Sequence, residues 1–255
     1  MSLDIVDLRE FYINPLGQAV RRVLRARLRR IWPNVKGETL LSLGYGTPLL
    51  RPWRGEAGAL LAMMPGAQGV AYWPREGPNA SCLVNITDLP LEDESVDRVI
   101  LMHALETVPD ADALLREVWR VLKSNGRALI IVPNRRGLWA HFDRTPFGTG
   151  QPYSSFQLKD TLRDHGFVVD RTWRALYMPP VQARPVLAMA DKIEKYGSWL
   201  FPGFGGLLIV EAGKQVYAPL LTKSRSFHPR LVLPLPFPMP SREAHEGDSA
   251  LYSGN

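Results

Sequence analysis

Residues 96–133 read VDRVILMHALETVPDADALLREVWRVLKSNGRALIIVP and contain the clearest structural signal in the chain. The apolar run at 96–102 predicts a strand, and the apolar spacing over 110–122 predicts a helix. Gly126 is expected to end that helix. The continuous run RALIIV at 127–132 is typical of a central strand covered on both faces. A strand, a helix and a strand in this order predict parallel strands joined by a crossover helix.

The same alternation continues on both sides of this stretch. Upstream, short apolar runs predict strands at 39–43, 69–72 and 81–84. Downstream, the pattern predicts a helix at 154–165, a strand at 167–176, a helix at 183–200 and a strand at 206–216. The chain is therefore predicted to be an α/β protein with a mostly parallel sheet and helices on both faces.

Length and composition indicate one principal globular domain. The chain has 255 residues, of which 45% are hydrophobic and 22% charged. Its single cysteine, Cys82, excludes an intramolecular disulfide and a multi-cysteine metal site, and it is expected to be a small buried thiol without chemistry. We expect no metal and a reducing, cytoplasmic location. The N-terminal residues lack a signal-peptide pattern, and no apolar run is long enough for a transmembrane segment.

Two terminal segments differ from the body of the chain. Residues 1–38 include VRRVLRARLRR at 20–30, with six arginines around the apolar stripe of a predicted amphipathic helix. The simplest interpretation is a solvated helix face, and contact with an anionic membrane or a nucleic acid is the alternative. Residues 221–255 are rich in proline and predict an extended tail, either disordered or packed on the domain or a second subunit. Residues 39–220 form the predicted domain between them.

Two glycines follow the first predicted strand in LLSLGYGTPLL at 40–50. Gly44 and Gly46 stand where ligands bind in doubly wound sheets, at the carboxyl ends of the strands. A dinucleotide fingerprint would need a third glycine at Leu49 and an acidic residue at the end of the second strand. Both are missing, which disfavours a nicotinamide dehydrogenase.

Together with residues 85–134, NITDLPLEDESVDRVILMHALETVPDADALLREVWRVLKSNGRALIIVPN, this glycine segment resembles the class I S-adenosylmethionine-dependent methyltransferases, in particular their type 11 group. The resemblance covers about residues 39–133. It implies a seven-stranded, mostly parallel, Rossmann-like sheet with S-adenosylmethionine as the cofactor. It also implies cofactor-binding residues, which are Ser42, Gly44, Tyr45, Gly46, Trp73, Asn85, Ile86, Met102 and His103.

Several of these positions depart from the family pattern. Asn85 stands where the family has an aspartate for the adenine amino group, and its side-chain oxygen can accept the same hydrogen bond. Ser42 and Pro48 replace an acidic residue and a glycine. Tyr72 and Trp73 stand where a carboxylate is expected to hold the ribose, an interaction worth about 1.5–3 kcal/mol. Trp73 stacked on adenine, or Glu76 from the next loop, is expected to compensate.

The polar, aromatic segment at 134–155 stands where the family places its acceptor residues, so it predicts a lid or substrate wall. Methyl transfer depends on in-line geometry, and a base is needed only when the acceptor must lose a proton. Candidates for that base are His103, His141, Asp143 and Tyr153, each with an ordinary structural role as the alternative. Arg135, Arg136 and Arg144 are candidates to meet an acidic acceptor.

The sequence therefore predicts a methyltransferase for a small-molecule or lipid-like acceptor. The alternative is a catalytically inactive protein of the same fold that binds a protein partner through the tail or the arginine-rich helix. Methylation of RNA or a ribosomal protein is a third hypothesis. Sequence-specific DNA methylation is disfavoured, because the fourth strand ends in MHAL rather than in the Asn/Asp-Pro-Pro-aromatic signature of amino-methylating DNA enzymes. A nucleic-acid partner is not expected.

Overall fold

The computed structural model describes residues 4–214. Seven strands form one sheet: β1 Thr39–Gly44, β2 Ala59–Pro65, β3 Ser81–Val84, β4 Val96–Met102, β5 Leu122–Pro133, β6 Phe167–Ala175 and β7 Leu207–Lys214. The strand order is β3-β2-β1-β4-β5-β7-β6. β7 runs antiparallel to both of its neighbours, and the other neighbouring pairs are parallel. The predicted seven-stranded, mostly parallel sheet is confirmed.

Seven α-helices accompany the sheet in the described part of the chain. They are α1 Ile5–Ile13, α2 Pro15–Ile31, α3 Thr47–Leu50, α4 Ala111–Val121, α5 Ser155–Asp164, α6 Arg184–Ala188 and α7 Ala190–Leu200. Alternate residues of the central strands enter two separate hydrophobic cores. One contains Leu40 and Ile100 with leucines of α2, and the other contains Leu41 and Leu101 with the apolar face of α4. The sheet is therefore covered on both faces, as its apolar strands predict.

The predicted second strand was placed wrongly. Residues 69–72 form no strand, and β2 lies earlier, at Ala59–Pro65, with Leu61 opposite Leu41 of β1. Val70 and Tyr72 are exposed. The sequence ALLAMMP has apolar residues on both faces, as a strand between β1 and β3 requires, and this signal was missed.

Two further predictions are corrected by the structure. Cys82 is exposed, because β3 is the edge strand and only its end residues Ser81 and Val84 are buried. The helix predicted at 183–200 is divided at Met189 into α6 and α7. The tail predicted at 221–255 and the last residues of the strand predicted at 206–216 lie outside the described residues. Among the helices of residues 4–214, none has the length and apolar character needed to cross a bilayer.

Candidate functional site

A groove of about 590 Å³ opens where β2 and β3 end. Its volume lies within the usual range for small-molecule sites. The end of β2 supplies Pro65 and Gly66 to the groove, and the end of β3 and the loop after it supply Asn85 and Ile86. The opposite wall is Thr107, Val108, Pro109 and Asp110, just before α4. The groove therefore lies at the carboxyl edge of the sheet, where ligands of doubly wound folds bind.

Asn85 presents its amide nitrogen, and not its oxygen, as an unpaired group in this groove. Its Oδ1 accepts hydrogen bonds from the Thr87 backbone N–H at 3.1 Å and from the Thr87 hydroxyl at 2.8 Å. Because a backbone N–H can only donate, the atom facing it must be the oxygen. In this arrangement Thr87 uses the oxygen that the resemblance implies as the acceptor for an adenine amino group, and that role of Asn85 stays a prediction. Its NH₂ group is suited to donate to a ring nitrogen.

The loop that carries Asn85 and Ile86 is held to α4 by Arg120. The Arg120 guanidinium donates to the carbonyls of Leu89 and Leu91 and to the carboxylate of Glu117. Glu117 in turn accepts from the Leu89 backbone N–H at 2.8 Å. The hydrogen bonds from Arg120 lower the pKa of Glu117 below its ordinary value of 4.5.

Removing the Glu117 charge should destabilise the domain in a pH-dependent way. A carboxylate whose pKa is lowered by folding adds stability at pH above 4.5, and that stability is lost as the pH falls through the lowered value. We expect Glu117→Gln to cost about 1–2 kcal/mol at pH 7 and progressively less as the pH falls below 4.5 and through the lowered pKa. Urea unfolding of both proteins between pH 7 and 3 measures the difference. Asp160→Asn is the control. It removes an exposed ion pair with Arg163, so it should cost about 0.5 kcal/mol or less. A Glu117→Gln difference that does not change with pH would contradict this assignment.

Gln68 crosses the crevice above β1. It follows the end of β2, and its Nε2 donates to the His103 carbonyl, which follows the end of β4, at 3.0 Å. Because β1 lies between β2 and β4, this bond passes over the end of β1. Gln68 is 3% exposed, and its Oε1 has no hydrogen-bond partner among the described residues. Gln68, which also lines the groove, thus has a buried acceptor oxygen without a donor among the described residues.

His103, Tyr12 and Glu106 form a buried polar cluster at the end of β4. The Tyr12 hydroxyl lies 2.9 Å from His103 Nε2, and His103 Nδ1 lies 3.4 Å from Glu106 Oε1. Burial raises the pKa of Tyr12 well above its ordinary value of 10. Glu106 Oε2, like Gln68 Oε1, has no partner within residues 4–214. His103 also has a φ of 53°, a backbone conformation that is often found at functional sites.

The glycines after β1 are required by the packing of the protein itself. Gly44 has a φ of 79°, and a Cβ there would overlap the Met102 carbonyl oxygen. A Cβ at Gly46 would overlap Ser42 Oγ, which is buried beneath it. Tyr45 is only 6% exposed and packs against Tyr12, with a distance of 5.8 Å between ring centroids. None of the five sequence-predicted residues Ser42, Gly44, Tyr45, Gly46 and Met102 lines the groove.

Trp73 lies elsewhere than its predicted role requires. Since β2 ends at Pro65, Trp73 does not stand at the end of the second strand. It lines a separate cavity together with Tyr45 and Glu76. Glu76 is bound to Arg54, at 2.8 Å. Trp73 and Glu76, which were expected to compensate for the missing ribose carboxylate, thus lie outside the groove. Among the described residues, Asp110 is the one carboxylate that lines the groove.

The segment at 134–155, which is predicted to be a lid or substrate wall, is anchored in the core. Trp139 and Phe147 are buried, and Trp139 Nε1 donates to the Met178 carbonyl at 2.7 Å. Phe147 contacts His103, with ring centroids 5.0 Å apart, and also packs against Phe11 of α1. Aromatic side chains therefore fill the space beside the end of β4.

The four candidates for a base do not form one site. His103 is fully buried, and its Nε2 is occupied by Tyr12. Tyr153 is 5% exposed, belongs to the core that contains α4, and has its pKa raised by burial. His141 and Asp143 are exposed in the loop. Arg135 donates to the Pro152 carbonyl and to Gln157, so it is tied to its own segment.

Sequence reasoning missed Gln68, Tyr12 and Glu106. Each belongs to a residue type that is usually solvent-exposed or only partly buried, and the sequence pattern marks none of the three. Glu106 lies in the segment HALE, which was noted only for its resemblance. No local signal identified Tyr12, because its contact with His103 joins residues 91 positions apart.

The strand order and the groove at the carboxyl edge define a class I methyltransferase fold. Solved structures share it. A S-adenosylmethionine-dependent methyltransferase from Thermotoga maritima aligns with a TM-score of 0.62 and 15% identity, over 83% of this chain and 96% of the other. One from Archaeoglobus fulgidus aligns with a TM-score of 0.54 and 22% identity, over 76% and 94% of the two chains.

Sequence comparison finds methyltransferases among the relatives of part of the chain. Residues 41–130 match the family model described as a methyltransferase domain. A protein of Mycobacterium tuberculosis named a probable S-adenosylmethionine-dependent methyltransferase is 30% identical over 128 residues, which are 49% of this chain and 45% of that protein. The chain therefore spans less than half the length of this curated relative. Residues 41–130 are thus similar to the methyltransferase domain of S-adenosylmethionine-dependent methyltransferases, enzymes whose cofactor is S-adenosylmethionine.

Proposed function

We propose that the chain is an S-adenosylmethionine-dependent methyltransferase for a small-molecule or lipid-like acceptor, with the adenosyl group held in the groove at the ends of β2 and β3. The groove itself carries this proposal, because it is large enough for a nucleoside and lies at the ligand-binding edge of a methyltransferase domain. A cytoplasmic location belongs to the same proposal. It is supported by the single cysteine of the sequence.

The groove and its surroundings fit the two ends of the cofactor differently. On the adenosyl side, an added Cβ at Gly66 would meet no atom within 4 Å, so a ligand can approach the backbone there. Asn85 offers its NH₂ group, Ile86 an apolar surface and Asp110 a carboxylate. On the amino-acid side, Gln68 Oε1 and Glu106 Oε2 are buried acceptors without partners in residues 4–214, suited to an ammonium group.

The cofactor supplies an electrophilic methyl group on a sulfonium, and the chain's part is to bind, orient and exclude water. The hydrogen bond from Gln68 to the His103 carbonyl must open before an extended ligand can lie across the end of β1. The His103 ring would have to leave its contact with the Tyr12 hydroxyl, 2.9 Å from Nε2, before it could meet an acceptor. We place the acceptor under the segment at 134–155, whose Phe147 packs against His103.

Filling the groove tests this proposal. Gly66→Leu places a side chain in open space, so we expect at least a tenfold loss of affinity for S-adenosylhomocysteine, which is about 1.4 kcal/mol. Isothermal titration calorimetry on the full chain measures it, with a micromolar dissociation constant expected for the unchanged protein. Gly203→Leu is the matched control, because that glycine is equally open and does not line the groove. Equal affinities in all three proteins would place the ligand elsewhere.

A catalytically inactive, partner-binding role is the second candidate. It is favoured by the Gln68 bridge over β1, by the aromatic packing beside β4 and by the lack of a carboxylate at the end of β2. In that case the unchanged protein should give no heat with S-adenosylhomocysteine at millimolar concentration. The partner surface would then be sought in the arginine-rich helix or in residues 221–255, whose removal should change partner capture.

A further inference from the structure

A cavity of about 1030 Å³ lies between α1, α2 and the loop that follows β2. It shares no lining residue with the groove at the ends of β2 and β3. Six arginines line it: Arg9, Arg21, Arg25, Arg51, Arg54 and Arg75. They come from α1, α2, the turn after α3 and the loop after β2, so four segments of the chain each contribute at least one arginine to the lining.

The positive charge of this cavity is almost uncompensated. Among the described residues, Glu76 is the only acidic one that lines it, and Glu76 already binds Arg54 at 2.8 Å. Within residues 4–214, no carboxylate lies within ion-pair distance of the other five arginines. By contrast, Arg22 and Arg29 of the same helix α2 pair with Asp191 and Glu56 outside the cavity. Arg21 and Arg25 of the arginine-rich helix therefore line this cavity, whereas Arg22 and Arg29 are engaged in ion pairs elsewhere.

Arg25 shows the effect of this crowding. It is half-buried, and its Nε donates to the Pro48 carbonyl at 2.6 Å. Burial, and then the nearby charges of Arg21 and Arg51, lower the pKa of Arg25 to about 10. An arginine in ordinary surroundings remains charged well above this value. Like charges held together without a counterion repel each other, and a bound anion would remove that repulsion.

We propose that this cavity binds a ligand carrying two or more phosphate groups. Planar guanidinium groups bind phosphate oxygens in a bidentate manner. Because the six arginines are distributed over several walls of the cavity, they suit a ligand with several phosphates better than one with a single phosphate. Thr47 and Tyr45 add hydroxyl groups to the same lining, and Tyr72 and Trp73 add aromatic surface. The lining of this cavity shares no residue with the groove that we propose for the adenosyl group, although it includes Tyr45 and Trp73, two residues that the family resemblance had implied for the cofactor.

Inorganic tripolyphosphate is the probe, added to the full chain and followed by isothermal titration calorimetry at moderate salt. We expect saturable binding with one site. Replacing two arginines of the cavity, in the double variant Arg21→Gln, Arg51→Gln, should lower the affinity at least tenfold. Arg30→Gln is the matched control, because Arg30 lies exposed on α2 and does not line the cavity. Its affinity should stay within about twofold of the unchanged protein.

Three results would overturn the proposal. The first is the absence of saturable tripolyphosphate binding. The second is that the cavity variant and the control variant lose the same affinity for each arginine removed, which would mean that net charge alone attracts the anion. The third is binding to vesicles of anionic phospholipid without binding to tripolyphosphate, which would assign the arginines to a membrane surface. If circular dichroism shows that the double variant is unfolded, Arg9→Gln with Arg75→Gln replaces it, since both side chains are exposed. S-adenosylhomocysteine binding by the same variants should be unchanged, so failure here is separate from failure of the proposed function.

Discussion

The Gly44→Ala variant is expected to lose about 3–5 kcal/mol of unfolding free energy. Two effects add at this position. The φ of 79° is one that residues with a side chain rarely adopt. The new Cβ would also overlap the Met102 carbonyl oxygen and lie close to that of His103, and both belong to backbone at the end of the neighbouring strand β4. A parallel central strand cannot move aside without breaking its own hydrogen bonds.

Gly37→Ala separates the two effects. Gly37 has almost the same φ, 76°, but nothing lies within 4 Å of its added Cβ. We expect this control to lose only about 1–2 kcal/mol, the cost of the left-handed conformation. Urea unfolding of both variants at pH 7 gives the comparison. Equal losses would show that the contact with β4 has no energetic effect. The prediction also means that a bulky residue at Gly44 would weaken cofactor binding through misfolding, so Gly66 is the better test position.

The second large effect is expected at Glu194, on α7. Its carboxylate accepts hydrogen bonds from the backbone N–H groups of Leu176 and Tyr177, at 3.0 and 2.8 Å. The side chain is buried, and Leu176 has a φ of 61°, so the turn after β6 depends on this carboxylate. Glu194→Ala leaves two backbone donors without an acceptor, and we expect it to cost about 2–4 kcal/mol.

Asp191→Ala provides the comparison on the same helix. Asp191 is 71% exposed and pairs with Arg22 at 3.6 Å, so its removal should cost well under about 1 kcal/mol. Thermal and urea unfolding measure both variants, and Glu194→Ala should also speed hydrogen exchange at Leu176 and Tyr177. Similar stabilities of the two variants would contradict the structural role given to Glu194.

Several features of the fold followed directly from local patterns. The strands at 96–102 and 127–132, and the helix between them, were predicted because their apolar residues repeat with the period of each element. The second strand was misplaced because a short apolar run has no periodicity that distinguishes it, and ALLAMMP was passed over for GVAY. That error moved the expected ribose contact to Trp73, which the structure places in the arginine-lined cavity.

The candidate site was predicted in part. Asn85 and Ile86 line the groove because they follow β3, and the resemblance had implied both for cofactor binding. The roles of the first glycines were assigned to a ligand, whereas their nearest neighbours are Ser42 and the backbone after β4. A glycine can make room for a ligand or for a neighbouring part of the protein. The difference depends on which atoms pack against it in the folded chain, and no local sequence pattern shows this.

The sequence by itself determined the α/β class, the alternation of strands and helices, and the edge of the sheet where a ligand is expected. These three features depend on the periodicity of apolar residues, on turn residues and on the order of the elements along the chain, all of which can be read from short stretches of sequence. Only the tertiary structure decided that Gln68 and Tyr12 meet at His103, joining residues 35 and 91 positions apart, and that the arginines of four segments face one cavity. Contacts of this kind follow from the order of strands in the sheet and from the packing of α1 and α2 on it, and no local pattern encodes them.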